Sequence, residues 1–255
     1  MLAEERRKKI VQILTRKGSI AVNELSELLG VVPITIRRDL EALEKEKGII
    51  IRTHGGAILQ GEPFLHQSLT AKETQNQDAK ARIAEKAATL VNDGEIIILD
   101  EGSTCLELAK ELKNNKNITV VTNGIKVAME LTPCANITTL LVGGVCGHQN
   151  YVAYGHETVE AFNRIRAHKY FMGIDALVPS YGISDGDLHQ VQLKLAKAAS
   201  SQKVIGIADN TKLGKIALAY VGPLSMMDCL IMNSPVTEVF RQALSNEQVE
   251  LVEVN

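Results

Sequence analysis

The sequence predicts an α/β protein, with an N-terminal winged helix-turn-helix domain followed by a larger α/β domain built on a largely parallel sheet. Three observations lead there. Two short amphipathic helical segments meet across a turn at Gly30, and the second carries the adjacent pair Arg37-Arg38. The Gly55-Gly56 pair divides the run from Ile49 to Ile58 into two β segments. Beyond about residue 94, short apolar runs alternate with helical ones, as expected of strands covered on both faces.

In the N-terminal part, Ile10, Ile13 and Leu14 have helical spacing and predict a helix from about Ala3 to Arg16, stopped at Lys17-Gly18. A second helix covers Val22–Leu29, and Gly30 ends it. Pro33, which suits a first helical turn because its missing N–H has no partner there anyway, opens the third. Ile36, Leu40 and Leu43 form that helix's buried stripe, and Gly48 stops it. The two β segments after Gly48 make the wing. Residues 1–58 are assigned to this domain. Residues 59–77 are polar and aperiodic and are expected to be a linker, leaving 78–255 for the second domain.

That second domain should begin with a helix from about Asp78 to Asn92. Strands are predicted at Ile96–Leu99, Ile118–Val121, Thr139–Val142, Tyr170–Met172, Val204–Ile207 and Cys229–Met232. Helices are expected at Thr104–Leu112, Gly124–Leu131, Gln190–Ser200 and Val236–Leu244.

Composition narrows the function. The net charge of −2 is unevenly distributed. Residues 1–60 hold 11 Lys and Arg against 8 Asp and Glu, and the remainder holds 17 against 22. A basic head on an acidic body suits a chain that meets phosphate at one end. No apolar run approaches a membrane span, and the start has no apolar signal core, so a cytoplasmic protein without a membrane partner is expected. Four scattered cysteines and six histidines show no metal-ligand spacing, and neither dinucleotide nor P-loop glycine patterns occur. No metal and no cofactor are expected.

Two groups of residues can carry a function. In a helix-turn-helix the second helix enters the major groove, where arginine reaches phosphates or the O6/N7 edge of guanine. Pro33, Ile34, Thr35, Arg37 and Arg38 on that helix, with Arg52, His54 and Gly55 in the wing, are the candidate contacts to double-stranded DNA. The competing possibility is a solvated helix face on which Asp39 pairs one arginine. The second group follows from the rule that open parallel sheets bind ligands at the carboxyl ends of their strands. There the sequence places Asp100, Gly102, Ser103 and Thr104, then Asn123, then Gly143 and Gly144, then Asp209 and Lys212. Glycines let backbone amides approach an anion, helix N-termini add partial positive charge, and Lys212 can neutralise a phosphate. Asp175 joins this list, and together they suggest an anionic polyol. Each loop taken alone also reads as a helix cap or tight turn.

These motifs resemble, over essentially the full length, the DeoR family of bacterial transcriptional regulators. The head carries T-I-R-R-D-L at Thr35–Leu40 and R-x-H-G-G-A at Arg52–Ala57. The body carries D-x-G-S-T at Asp100–Thr104, T-N at Thr122-Asn123, G-G at Gly143-Gly144 and D-x-x-K-x-G at Asp209–Gly214. The resemblance implies a domain similar to the ribose-5-phosphate isomerase and CoA-transferase folds that senses a phosphorylated sugar or related metabolite. It also implies a homodimer or homotetramer that represses genes of carbohydrate uptake and catabolism; because no paired acid and base stand out and the head has a function of its own, no enzymatic activity is expected. Three positions depart from the family pattern. Val32 and Ala21 stand where hydroxyl residues commonly cap helices, and Glu101 puts a negative charge in the phosphate-type loop, so either it turns outward or the effector carries less charge. Two alternatives stay open: an isomerase with an accessory head, whose base would be Asp100, Glu101 or Asp175, and a DNA-binding protein with a vestigial site.

Overall fold

The computed structural model describes residues 3–17, 19–47, 50–52, 55–59, 68–113, 117–147 and 150–255. The head runs α1 (Ala3–Lys17), β1 (Ser19–Ala21), α2 (Val22–Leu29), α3 (Pro33–Lys47), β2 (Ile50–Arg52) and β3 (Gly56–Leu59). Ile10 and Leu14 from α1, Leu25 from α2, and Ile36, Leu40 and Leu43 from α3 meet in one apolar core. Gly30 makes the turn between α2 and α3 in the left-handed conformation (φ 63°), donating its N–H to carbonyls of the last helical turn. The wing has three strands, with β3 between β1 and β2. β1 is an addition to the predicted hairpin; three residues are too few to show an alternation. Gly56 is needed where β3 crosses β1, since a Cβ there would collide with the Ile20 carbonyl.

The body opens with α4 (Leu69–Glu73), α5 (Gln77–Ala88), β4 (Ile96–Leu99), α6 (Ser103–Leu112), β5 (Ile118–Thr122), α7 (Ile125–Leu131) and β6 (Ile137–Leu141). There follow β7 (Val145–Gly147), β8 (Val152–Tyr154), α8 (His156–Asn163), β9 (Ala167–Gly173), β10 (Ala176–Val178), β11 (Gly182–Asp185) and α9 (Leu188–Ala199). The chain ends with β12 (Ser201–Ala208), β13 (Ala219–Gly222), β14 (Cys229–Asn233), α10 (Glu238–Asn246) and β15 (Glu250–Val254). Seven strands form one sheet in the order β15-β14-β12-β9-β4-β5-β6, and every pairing in it is parallel. Alternate side chains feed two cores. Ile98, Tyr170 and Met172 point to the one shared with α8, α9 and α10; Ile97, Leu99 and Phe171 point to the one shared with α5 and α6.

Two differences from expectation matter. The segment expected to be linker as far as Gln77 contains α4, which is capped by the Ser68 hydroxyl accepting from the Ala71 N–H. It is anchored by ions rather than by an apolar stripe, and so gives no periodic signal. The buried ammonium of Lys80 donates to the carbonyls of Lys72 and Gln75, and Lys126 pairs with Glu73 at 2.5 Å. Small antiparallel strands, β10-β11-β13 and β7-β8, also stand where no element was predicted; all are three or four residues long. Among the described residues no helix is long and apolar enough to cross a membrane.

Candidate functional site

The head and the body each present a candidate surface. On the head, the apolar stripe of α3 faces the core, which leaves Ile34, Arg37 and Arg38 exposed, with Pro33 and Thr35 half-buried beside them. Asp39 does not pair with either arginine. It is buried at 3% exposure and accepts from Arg6 and Arg7 of α1, with Arg6 Nη2 at 3.2 Å from Oδ1. Among the described residues, neither Arg37 nor Arg38 has a carboxylate partner. Gly55 is exposed, and its carbonyl accepts from the Val22 N–H at 2.8 Å. Of Arg52 only the backbone is described, in β2, and His54 lies outside the described residues. Ala21, at the start of α2, provides no side-chain cap, as its apolar side chain requires.

In the body, β4 and β9 are neighbours, so the turns after them meet. Between them and α4 lies a cavity of about 40 Å³, lined by Leu69, Lys72, Glu101, Gly102, Asn150, Gly173, Asp175, Asp185, Gln190 and Lys194. Of the predicted residues, Gly102 and Asp175 reach this wall. Gly102 adopts φ 110°, a conformation open to glycine, as it turns the chain from β4 into α6. Asp175 accepts from Lys72 Nζ at 2.6 Å.

Asp100 lies just beneath the cavity, fully buried. It accepts from Lys194 at 2.5 Å, from Lys197, and from the Gly173 N–H at 3.2 Å. Burial opposes its ionisation, but the two ammonium groups outweigh that and hold the carboxyl far below the usual range. Lys194 also donates to the Gly173 carbonyl at 2.7 Å and lies 3.5 Å from Asp185. Burial disfavours its charge too, yet Asp100 and Asp185 hold it well above the usual lysine value. Lys197, fully buried, bridges Asp100 and Glu101, with Glu101 Oε2 at 3.2 Å. Glu101 therefore does not turn outward. Burial and the Asp100 charge push its carboxyl up to about 7.

The other predicted ligand residues do not line this cavity. Ser103 and Thr104 are buried in the first turn of α6. Asn123 is buried and donates its Nδ2 to the Ala153 carbonyl at 2.8 Å. At Gly143 and Gly144 the chain packs against α8: the Gly143 carbonyl accepts from the Thr158 hydroxyl at 2.8 Å, and a Cβ on Gly144 would collide with that hydroxyl. Asp209 caps the 3-10 turn Asn210–Lys212 through the Thr211 N–H and accepts from Asn76 at 3.1 Å. Lys212 is half-buried; burial lowers its pKa, offset in part by Asp175 and Asp209. These loops share a rim, but tight chain packing accounts for several of their glycines and hydroxyls.

Sequence reasoning missed Lys72, Asp185, Gln190, Lys194 and Lys197. On α9 the buried face consists of Gln190, Leu193, Lys194, Ala196 and Lys197, while Leu188 and Leu195 are exposed. The signal was present: the 190, 194, 197 spacing puts three polar residues on the face that also holds Leu193.

Residues 6–62 match the DeoR-like helix-turn-helix domain, and residues 75–234 match the DeoR C terminal sensor domain. The chain is 34% identical over 238 residues to the HTH-type transcriptional regulator GolR of Listeria innocua, covering 93% of both chains. It is 30% identical to the glycerol-3-phosphate regulon repressor of Escherichia coli, covering 98% of this chain and 99% of that one. Among solved structures it is similar to ribose 5-phosphate isomerase A from Methanocaldococcus jannaschii, at 19% identity and a TM-score of 0.41 over 55% of each chain. With both of its parts matched in order, the chain belongs to the DeoR family of helix-turn-helix transcriptional regulators.

Proposed function

We propose that the protein represses genes of carbohydrate uptake and catabolism by binding operator DNA through α3 and the wing, under control of a phosphorylated sugar or related metabolite held against α4. The observation that carries the DNA half is the disposition of three adjacent charges on α3: Asp39 is turned inward to Arg6 and Arg7, while Arg37 and Arg38 are exposed and unpaired among the described residues. The relatives named as a glycerol-3-phosphate regulon repressor and a putative aga operon transcriptional repressor support the choice of regulon. Arg37→Ala is the test. A bidentate arginine–guanine contact discriminates by about 1–3 kcal/mol. Fluorescence anisotropy on DNA from upstream of the protein's own gene should show at least a fivefold loss of preference over scrambled DNA. An unchanged preference moves base reading off α3.

On the effector side, the cavity holds only a few waters' worth of space with α4 in place, well below the roughly 300 Å³ of an ordinary ligand pocket. A sugar phosphate enters by displacing α4, its phosphate taking Lys72 from Asp175 and lying at the Gly102 turn, where the N-terminus of α6 favours an anion. Nine residues separate α4 from the end of the wing strand β3, and among the described residues α4 is the first element of the body after the head. The wall gives binding without turnover: Asp100 and Asp175, two of the three candidate bases, are each held by lysine. Glu101 is poised near neutrality, as a base would be, but is tied to Lys197. The regulator acts as a homodimer or homotetramer. The edge strand β6 and its neighbours expose Met129, Leu140, Leu141 and Val145, a surface that a second copy would cover.

A further inference from the structure

Gln190 is the exception in the cavity wall. Its side chain is buried at 3% exposure and lines the cavity, yet neither its amide oxygen nor its amide nitrogen has a hydrogen-bond partner. Buried polar groups in folded proteins are nearly always satisfied, so one that is not, facing a cavity, marks a place where something else binds. The charged groups around it are already engaged. Lys72 is held by Asp175, Glu101 by Lys197, and Lys194 by Asp100 and the Gly173 carbonyl; Asp185 accepts from the Asp187 N–H. Gln190 lies one turn before Lys194 on the same buried face of α9, which fixes its position from below.

We propose that Gln190 is the specificity-determining residue of this site, reading hydroxyl groups of the effector's polyol part. This rests on the sugar-phosphate reading above and deepens it. A carboxamide offers a donor and an acceptor side by side, the complement of two neighbouring hydroxyls, each of which can donate and accept. Because both amide atoms are unpartnered, the match holds whichever way the amide is turned. A neutral reader also suits a wall whose charges already balance in pairs: it selects on hydroxyl arrangement and leaves the anion to Lys72 and the Gly102 turn. Sites built to hydrogen-bond a hydroxyl discriminate far more strongly than apolar pockets do, because a wrong ligand leaves the buried group unpaired.

The test is calorimetry with ribose 5-phosphate, fructose 6-phosphate and glycerol 3-phosphate on the full chain and on Gln190→Met, with melting curves of both ligand-free proteins. Methionine has nearly the same length and no amide. The inference expects the Kd of whichever compound binds the unmodified chain to rise at least tenfold, while the ligand-free melting temperature stays equal or increases. A rise of less than tenfold overturns it. So does a lowered ligand-free melting temperature, the mark of an amide already satisfied by fixed water. If none of the three compounds binds the unmodified chain, the sugar-phosphate reading falls and this assignment falls with it.

Discussion

Glu101 shows how one side chain departs from expectation and what it costs the fold. Its carboxyl takes up a proton near pH 7 in the folded protein, against 4.5 ordinarily, because burial and the charge of Asp100 oppose its ionisation. A raised acid favours the folded state while protonated. Its contribution is complete below about pH 4.5 and is lost as the pH rises through 7. The native chain should therefore lose stability between pH 5.5 and 8.5 relative to Glu101→Gln, by about 1–3 kcal/mol, or several degrees in melting temperature. Parallel melting curves of the two proteins across that range would contradict this. The same loop explains what was hard to read from sequence. D-x-G-S-T at 100–104 pointed to a turn that lines the cavity, but Asp100 serves there as the partner of two buried lysines, a role visible once α9 is packed above it.

Elements with a strong apolar period were legible. The three head helices and the six strands Ile96–Leu99 to Cys229–Met232 fall within a few residues of their predicted places, because period and burial coincide in them. α4 was not legible, since ion pairs and a buried lysine hold it, and such contacts lie far apart in sequence: Lys72 meets Asp175 across the fold. α9 was legible as a helix, from Gln190 onward, but its faces were not, since it buries lysines and exposes leucines. If α4 carries the effector's signal, Lys72→Met should leave DNA affinity without effector within about twofold. The effector's influence on DNA binding should then drop from a coupling of about 1–3 kcal/mol to nearly none. Anisotropy titrations with and without sugar phosphate measure both quantities, and a coupling that survives in Lys72→Met would place the signal elsewhere.

The two parts divide the labour by charge and by depth. The head keeps Arg37 and Arg38 in solvent and spends Asp39 inside, whereas the body buries its lysines against carboxylates and leaves one carboxamide open toward a cavity. In the head, pattern and turn residues were enough to locate both the fold and the exposed, arginine-bearing side of α3, because one helix carries both. In the body, the candidate site is assembled from α4, the turns after β4 and β9, and α9, whose lining residues run from Leu69 to Lys194. No local motif contains it.

One measurement bears most directly on the link between the parts: the affinity of the full chain for DNA upstream of its own gene, with and without a saturating phosphorylated sugar. Linkage requires that the DNA shift the sugar phosphate's Kd by the same factor as the sugar phosphate shifts the DNA's. A reciprocal change of fivefold or more is the predicted result, and two affinities that ignore each other would contradict it.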